Sequence, residues 1–275
     1  AILAAAHSFV LPRPKPQLRL RAEDDCVTAE ECSAEAEVLK LKAETMKLEA
    51  QKAELLLAKE VAARQKRIRE EEETIAAMAE VPEVCEHLHL PLQSGSDRIL
   101  ASMHRGYTAE RYLEKLNEAR AQIPDLAVTT DIIVGFPGET EEDFVQALEL
   151  AAEVGFDSAY TFIFSPRPGT EAAEMTDLYV DHEICVERYE RLRRVLNRSS
   201  SLTHRNRVGK VESVVIEGPG KRSPDQVTGR TRQNKLVHLE SSKDLTIGTY
   251  AKVQITDAAG YYLMGELIQV TAPAK

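Results

Sequence analysis

Four cysteines, Cys26, Cys32, Cys85 and Cys185, are all the sequence holds in 275 residues, and no two of them form a close pair. That sparse spacing matches neither a disulfide scaffold nor a zinc site, and it leaves isolated thiols as the plain reading. No apolar run approaches the roughly 18 residues that a membrane span needs. Glycine and proline are missing from 28 to 78, so nothing there breaks a helix. Acidic residues are missing from 1 to 22, where Arg13, Lys15, Arg19 and Arg21 stand among Ala, Ser and Pro. Pro12, Pro14 and Pro16 exclude a helix in that stretch. It is either a disordered tail, with a cytoplasmic chain, or a transit-like segment addressing a plastid or mitochondrion. The chain begins with Ala1, which suggests a processed chain or a fragment.

A net positive charge is also lacking. The formal value is −10, which by itself argues against nucleic acid as a partner. The charge is unevenly placed, however. From Arg205 onward, 11 Lys and Arg face 7 Asp and Glu, while residues 1–204 carry −14. Any nucleic-acid contact is therefore expected at the C-terminus.

What is present divides the chain into four parts: 1–27, 28–80, 81–203 and 204–275. Residues 28 to 78 are rich in Ala, Leu, Glu, Lys and Arg and predict one long helix. Thr28 is a plausible N-cap, with Glu31 completing a capping box. Leu41, Leu48, Leu55 and Ala62 recur every seven residues, but Thr45, Lys52 and Lys59 occupy the companion positions. The seam is thin, and a solvated single helix and a coiled-coil surface for self-association or a partner chain both remain open.

From 87 to about 200, strands alternate with helices. His87 to Leu92, Leu126 to Val134 and Ser158 to Phe164 read as strands, the second buried on both faces. Asp97, Thr108, Thr140 and Asp181 are the expected helix caps. Short connections between these elements imply parallel strands with right-handed crossovers. From Val208 the pattern turns to five short strands separated by Gly, Pro and Asn turns, an OB-like barrel.

The turns Gln93–Ser96, Gly135–Glu139 and Ser165–Thr170 each follow a strand, so all three should open on one rim, where parallel barrels build their sites. Gln93, Ser94 and Ser96 offer donors and acceptors, and Gly95 and Gly135 let backbone approach a ligand. Ordinary turn chemistry explains the same residues. Asp131 begins an apolar stretch and either bonds a ligand or holds a neighbouring loop. His87 and His89 share a strand face, and without a third ligand a packed interior suits them better than a metal. Arg167, between two prolines, could meet a phosphate or base. Arg205, Arg207, Lys210, Lys221, Arg222, Arg230, Arg232 and Lys235 suggest a basic surface on the barrel that tracks an RNA backbone. Arg188, Arg191, Arg193, Arg194 and Arg198 extend the same sign along the preceding helix.

Four strings carry a family likeness: His87-Leu-His-Leu-Pro-Leu-Gln-Ser-Gly-Ser-Asp97, Met103-His-Arg-Gly-Tyr-Thr108, Thr130-Asp-Ile-Ile-Val-Gly-Phe-Pro-Gly-Glu-Thr140 and Phe162-Ile-Phe-Ser-Pro-Arg-Pro-Gly-Thr170. With them, residues 81 to 275 resemble the C-terminal part of a radical-SAM methylthiotransferase of the MiaB type. The tail, including Pro224-Asp-Gln-Val-Thr-Gly-Arg-Thr-Arg-Gln-Asn-Lys235, resembles a TRAM domain. The region before residue 80 shows no such likeness. The resemblance implies an α/β chain: a partial radical-SAM βα barrel with about three of six βα units, then a TRAM barrel, behind a long charged helix. It also implies S-adenosylmethionine and a 4Fe–4S cluster as cofactors, tRNA as partner, and methylthiolation of an N6-isopentenyladenosine beside the anticodon. On this resemblance Gln93, Ser94, Gly95, Ser96, Asp131 and Gly135 would bind cofactor. The family's Cys-x3-Cys-x2-Cys motif occurs nowhere in the sequence, and thiolates are what hold such a cluster. Three expectations follow: an incomplete gene product, an inactive RNA-binding or interaction protein, or one half of a split enzyme.

Overall fold

A computed structural model describes residues 29–220, 225–242 and 245–272. Cys26, Thr28, Lys221, Arg222, the segment 1–28 and the side chain of Cys32 lie outside that description. The chain divides into two units, 1–69 and 70–275.

Helix α1 spans Ala29–Glu80 without interruption, as an unbroken run of helix-formers requires. Within the first unit its leucines stay in solvent: Leu41, Leu48 and Leu55 are each more than half exposed. The second unit takes up the last turns of α1, where Ile75 packs with Ala119 and Ile123 and Glu71 meets Lys115 at 3.0 Å.

The second unit contains two β-structures. The first is a three-stranded parallel sheet in the order β1 (His87–His89), β2 (Ala127–Val134), β3 (Ser158–Ile163). Helices α2 (Asp97–Ser102), α3 (Ala109–Gln122) and α4 (Glu141–Val154) fill the crossovers. A single turn α5 (Glu171–Glu174) and the long α6 (His182–Arg205) follow β3. The core lies on one face of the sheet, where Leu116, Val128, Ile132, Phe144, Phe156 and Leu192 are almost completely buried. Removing one such side chain from water stabilises the fold by about 1.5–3 kcal/mol.

Three local expectations change. β1 is shorter than predicted, because Pro91 has no N–H to give to the ladder. Pairing resumes at Gln93, which bridges Ile132 in parallel fashion. The cap of α2 is Ser96, not Asp97: the Ser96 hydroxyl accepts from the Ile99 N–H, while Asp97 accepts from the Ala109 N–H. Strand β2 is buried on one face only. Val128, Thr130, Ile132 and Val134 are buried, whereas Thr129, Asp131 and Ile133 are half-buried. Those residues, with Tyr160 and Phe162, form a sheet face that no helix layer covers among the described residues. Tyr160 is 65% exposed and Phe162 51%.

The second β-structure is closed. β4 (Val211–Pro219), β5 (Gln226–Thr231), β6 (Leu236–Glu240), β7 (Tyr250–Ala258) and β8 (Leu263–Ala272) form a barrel in the order β4-β5-β6-β8-β7, with β7 returning to β4. Alternate residues such as Val214, Ile216, Val237, Val253 and Ile255 fill its interior, as period-2 patterning requires.

Candidate functional site

The three turns singled out from the sequence do lie together, at the C-terminal ends of adjacent parallel strands. Backbone bonds tie them. The Gln93 N–H donates to the Asp131 carbonyl at 2.8 Å, the Ile133 N–H to the Gln93 carbonyl at 2.9 Å, and the Phe164 N–H to the Val134 carbonyl at 2.8 Å. Gln93 takes a left-handed conformation, φ 65°, which an ordinary residue adopts only when its surroundings require it.

The side chains of the first turn point into the protein, whereas Ser165–Thr170 is exposed. Gln93, Ser94 and Ser96 are all buried. The Ser96 hydroxyl donates to Asp143 at 2.6 Å, and the Ser94 hydroxyl accepts from the Ser96 N–H. Gly95 is small because helix α4 lies against it: a Cβ there would stand 2.5 Å from the Ala147 Cα. At Gly135, φ 74°, the corresponding space belongs to the Cys185 thiol. The close approach that these glycines permit is thus to the protein's own α4 and α6.

Two carboxylates that the sequence reading passed over hold the rim in place. Asp143 completes the capping box of α4 with Thr140 and also pairs with Arg98. Burial works to raise its pKa, but hydrogen bonds from Arg98, Ser96 and Thr140 outweigh that and hold the carboxyl well below its usual range. Glu139 receives the Gly135 N–H at 3.1 Å and the Arg188 guanidinium at 2.9 Å. Burial pushes its pKa up despite Arg188. The capping-box spacing marked Asp143; nothing local marked Arg188, since α6 follows almost fifty residues later.

The polar groups that face outward lie lower on the open sheet face. Thr129 bonds His87 at 3.1 Å and His89 at 2.9 Å. Asp131 meets His89 at 3.4 Å, and Tyr160 packs edge-on to the same ring. The two histidines therefore border an open face rather than a packed interior. Among the described residues, no group of three or more His, Cys, Asp or Glu is arranged to hold a metal ion.

Part of the expected basic surface of the barrel is spent inside the molecule. Lys235 is buried and donates to Asp157 at 2.6 Å and to Thr203 at 3.2 Å. Arg207, also buried, pairs with Asp125 at 2.5 Å and Glu212 at 3.1 Å. Arg232 pairs with Glu86 at 2.7 Å. These three cations, expected on a solvent-facing surface, instead dock the barrel against the sheet unit. Desolvation would otherwise make such charges costly, so each has its partner. Arg230 is partly exposed and pairs with Glu217 at 3.2 Å. Lys210 lies 3.9 Å from Asp125 and is half exposed. Arg205 and Arg167 are exposed.

Comparison with known proteins gives this architecture relatives. A model of the Radical SAM superfamily matches residues 29–151, and a model of the TRAM domain matches residues 205–268. A tRNA-2-methylthio-N(6)-dimethylallyladenosine synthase of Thermoanaerobacter sp. (strain X514) is 50% identical over 199 residues, 72% of this chain and 42% of its own. The chain thus carries a Radical SAM match and a TRAM match, and over about 72% of its length it is similar to tRNA methylthiotransferases. Synthases of the same name from Moorella thermoacetica and Pseudomonas fluorescens are 47% and 45% identical, each over 71% of this chain and 44% of their own length. The chain thus spans less than half the length of the methylthiotransferases it matches. The radical-SAM match starts within α1, at residue 29, upstream of the point at residue 81 where the sequence motifs begin. A coproporphyrinogen III oxidase of Escherichia coli, described as a radical SAM enzyme, aligns with TM-score 0.38 and 15% identity over 62% of this chain and 41% of that one.

The radical-SAM likeness implies S-adenosylmethionine and a 4Fe–4S cluster, and among the described residues the cysteines do not fit the cluster. Cys85 is exposed, and Cys185 is buried beneath Gly135. Burial raises the Cys185 thiol pKa, opposite to what a thiolate ligand needs. The rim hydroxyls that would have met the methionyl part of S-adenosylmethionine are engaged by α2 and α4.

Proposed function

We propose that this methylthiotransferase-like chain binds tRNA, the substrate class named for its relatives, and does not hold the radical-generating cluster on its own residues. The observation that carries the reading is the barrel. It is the part matched by the TRAM model, and it is locked to the sheet unit by Lys235–Asp157, Arg207–Asp125 and Arg232–Glu86. A rigidly held RNA-binding module fixes the register of its RNA relative to the strand-end rim, and positioning of that kind is a large part of what a protein contributes to cofactor chemistry. The modified base would be an N6-dimethylallyl adenosine of tRNA, as the relatives' names indicate.

The test uses purified full chain. Its affinity for tRNA, read by fluorescence anisotropy, is expected to fall linearly on a log–log plot against salt. After incubation with iron and sulfide under reducing conditions it should show no cluster absorbance. Absence of tRNA binding, or a stable cluster, would overturn the proposal.

The open sheet face favours a second reading, in which another chain completes the barrel and supplies the cysteines. Parallel sheets are ordinarily covered on both faces, and among the described residues both outer edges, β1 and β3, remain free. A stable complex with a cysteine-bearing chain in size-exclusion chromatography would support it. A strictly monomeric profile in cell extract would count against it.

A further inference from the structure

Helix α6 segregates its charges. Its buried stripe consists of Cys185, Arg188, Leu192, Leu196, Ser200 and His204, with Arg188 paired to Glu139. The opposite stripe starts acidic, with exposed Glu183, Glu187 and Glu190, and then becomes basic with Arg194, Arg198 and Arg205, all exposed. At about 100° per residue, Arg194, Arg198, Ser201 and Arg205 fall within a sector of about 60°. The rise places Arg198 about 6 Å from Arg194 and Arg205 about 10 Å further on. The first step compares with the spacing of successive phosphates on an extended strand, and the second is longer. Among the described residues, none of these three arginines has an ion-pair partner, whereas Arg191 and Arg193 do. The helix dipole accounts for a cation in the last turn only. It explains Arg205 but neither Arg194 nor Arg198.

Two features flank the stripe. On one side, the β7–β8 turn rests on the helix. The Ser200 hydroxyl donates to the Gly260 carbonyl at 2.8 Å, and the Tyr261 hydroxyl donates to the Asn197 side chain. Tyr261 is nonetheless 60% exposed, so a ring fixed at its hydroxyl end offers a free face. On the other side is a groove of about 560 Å³ lined by Ala152, Gly155, Val195, Arg198, Leu202 and Asn206, among others. A groove of that size suits a nucleoside.

The geometry points to this face of α6, with Tyr261, as the surface that grips RNA: Arg194, Arg198 and Arg205 on phosphates of one strand and Tyr261 stacked on an unpaired base. An acidic protein would satisfy the arginines but leaves the fixed, exposed ring without a role. RNA uses both, since single-stranded RNA is held by cations along its backbone and aromatics against its bases. The inference rests on the reading of the chain as a tRNA-binding protein and relocates the contact, from the barrel strands to the helix that leads into them.

The experiment compares the full chain with Arg194→Gln/Arg198→Gln/Arg205→Gln, with Tyr261→Ala and with Arg193→Gln, an exposed arginine off the stripe. An unmodified tRNA transcript and heparin are the probes, and circular dichroism checks folding. For the triple variant, tRNA affinity should drop more than tenfold and the log–log salt slope should fall by about 2, as expected for three lost phosphate contacts. Tyr261→Ala should weaken tRNA binding about tenfold and leave heparin binding unchanged. Arg193→Gln should match the wild type. A wild type that binds no tRNA removes the proposed function itself. A wild type that binds, with a triple variant that binds equally well and keeps the slope, overturns this inference alone. So does a triple variant that loses heparin but keeps tRNA, which would mark a general anion surface.

Discussion

The two β-structures of the second unit deal with their hydrogen-bonding edges in opposite ways. β4 to β8 close on themselves, so every strand has two neighbours and the interior is filled by residues of the barrel itself. β1 to β3 stay open, with β1 and β3 as edges and with Asp131, Tyr160 and Phe162 on an uncovered face. An unpaired edge invites another strand, and closure removes the invitation. One of these regions is closed; the other, among the described residues, has two open edges.

The comparison can be broken most sharply at glycine. Gly95→Ala should destabilise the sheet unit by about 3 kcal/mol or more, because the new Cβ meets the backbone of α4, which cannot step aside. Gly229→Ala would press on the Val215 carbonyl at 2.6 Å within the barrel. Urea unfolding followed by near-ultraviolet dichroism should show each variant lowering the transition of its own region first. A single shared transition in both would mean that the two regions unfold as one.

Next in size is the joint between them. Lys235→Met removes a buried cation and leaves Asp157 with the Val128 N–H as its remaining donor. About 3 kcal/mol is expected, together with separation of the unfolding transition into two steps. The double variant Lys235→Met/Asp157→Leu should recover part of the loss, because an apolar pair of similar volume needs no charge compensation.

The acid limb gives a smaller, signed effect. Hydrogen bonds hold the folded Asp143 carboxyl below the usual aspartate range. Its contribution is therefore complete above that range and is lost as pH falls through the folded pKa. Glu139 works in the opposite sense, since its raised pKa makes its charged form the less favoured one in the fold. Asp143→Asn should flatten the fall of stability below the usual aspartate range, measured by thermal melts across a pH series. An unchanged acid limb would remove Asp143 from that role.

The smallest effect belongs to the open face. Phe162→Ser should cost less than about 0.5 kcal/mol, as at other exposed positions, in spite of the size of the ring. A loss of several kcal/mol would show that something covers this face in solution.

Much of this was readable from residue order. The long helix follows from an unbroken run of helix-formers, the caps at Thr108, Thr140 and Asp181 from side chains that accept the first free N–H groups, and the five barrel strands from alternation between turns. The order of motifs pointed to the family, and the absent cysteine triplet was visible by inspection. The fate of individual polar residues was not readable in this way. Ser96 and Gly95 look the same in sequence whether they cradle a ligand or the backbone of α4.

Local patterning thus determined which elements form, where they begin and what family they resemble, because caps, turns and periodicity act over a few residues. Tertiary structure alone decided which charges stay free. Arg207, Arg232 and Lys235 find Asp125, Glu86 and Asp157, partners some 80 to 150 positions away in the chain. Arg194 and Arg198 meet none among the described residues. Whether a cation faces solvent or a carboxylate depends on how the elements pack, and short-range sequence pattern carries no record of that.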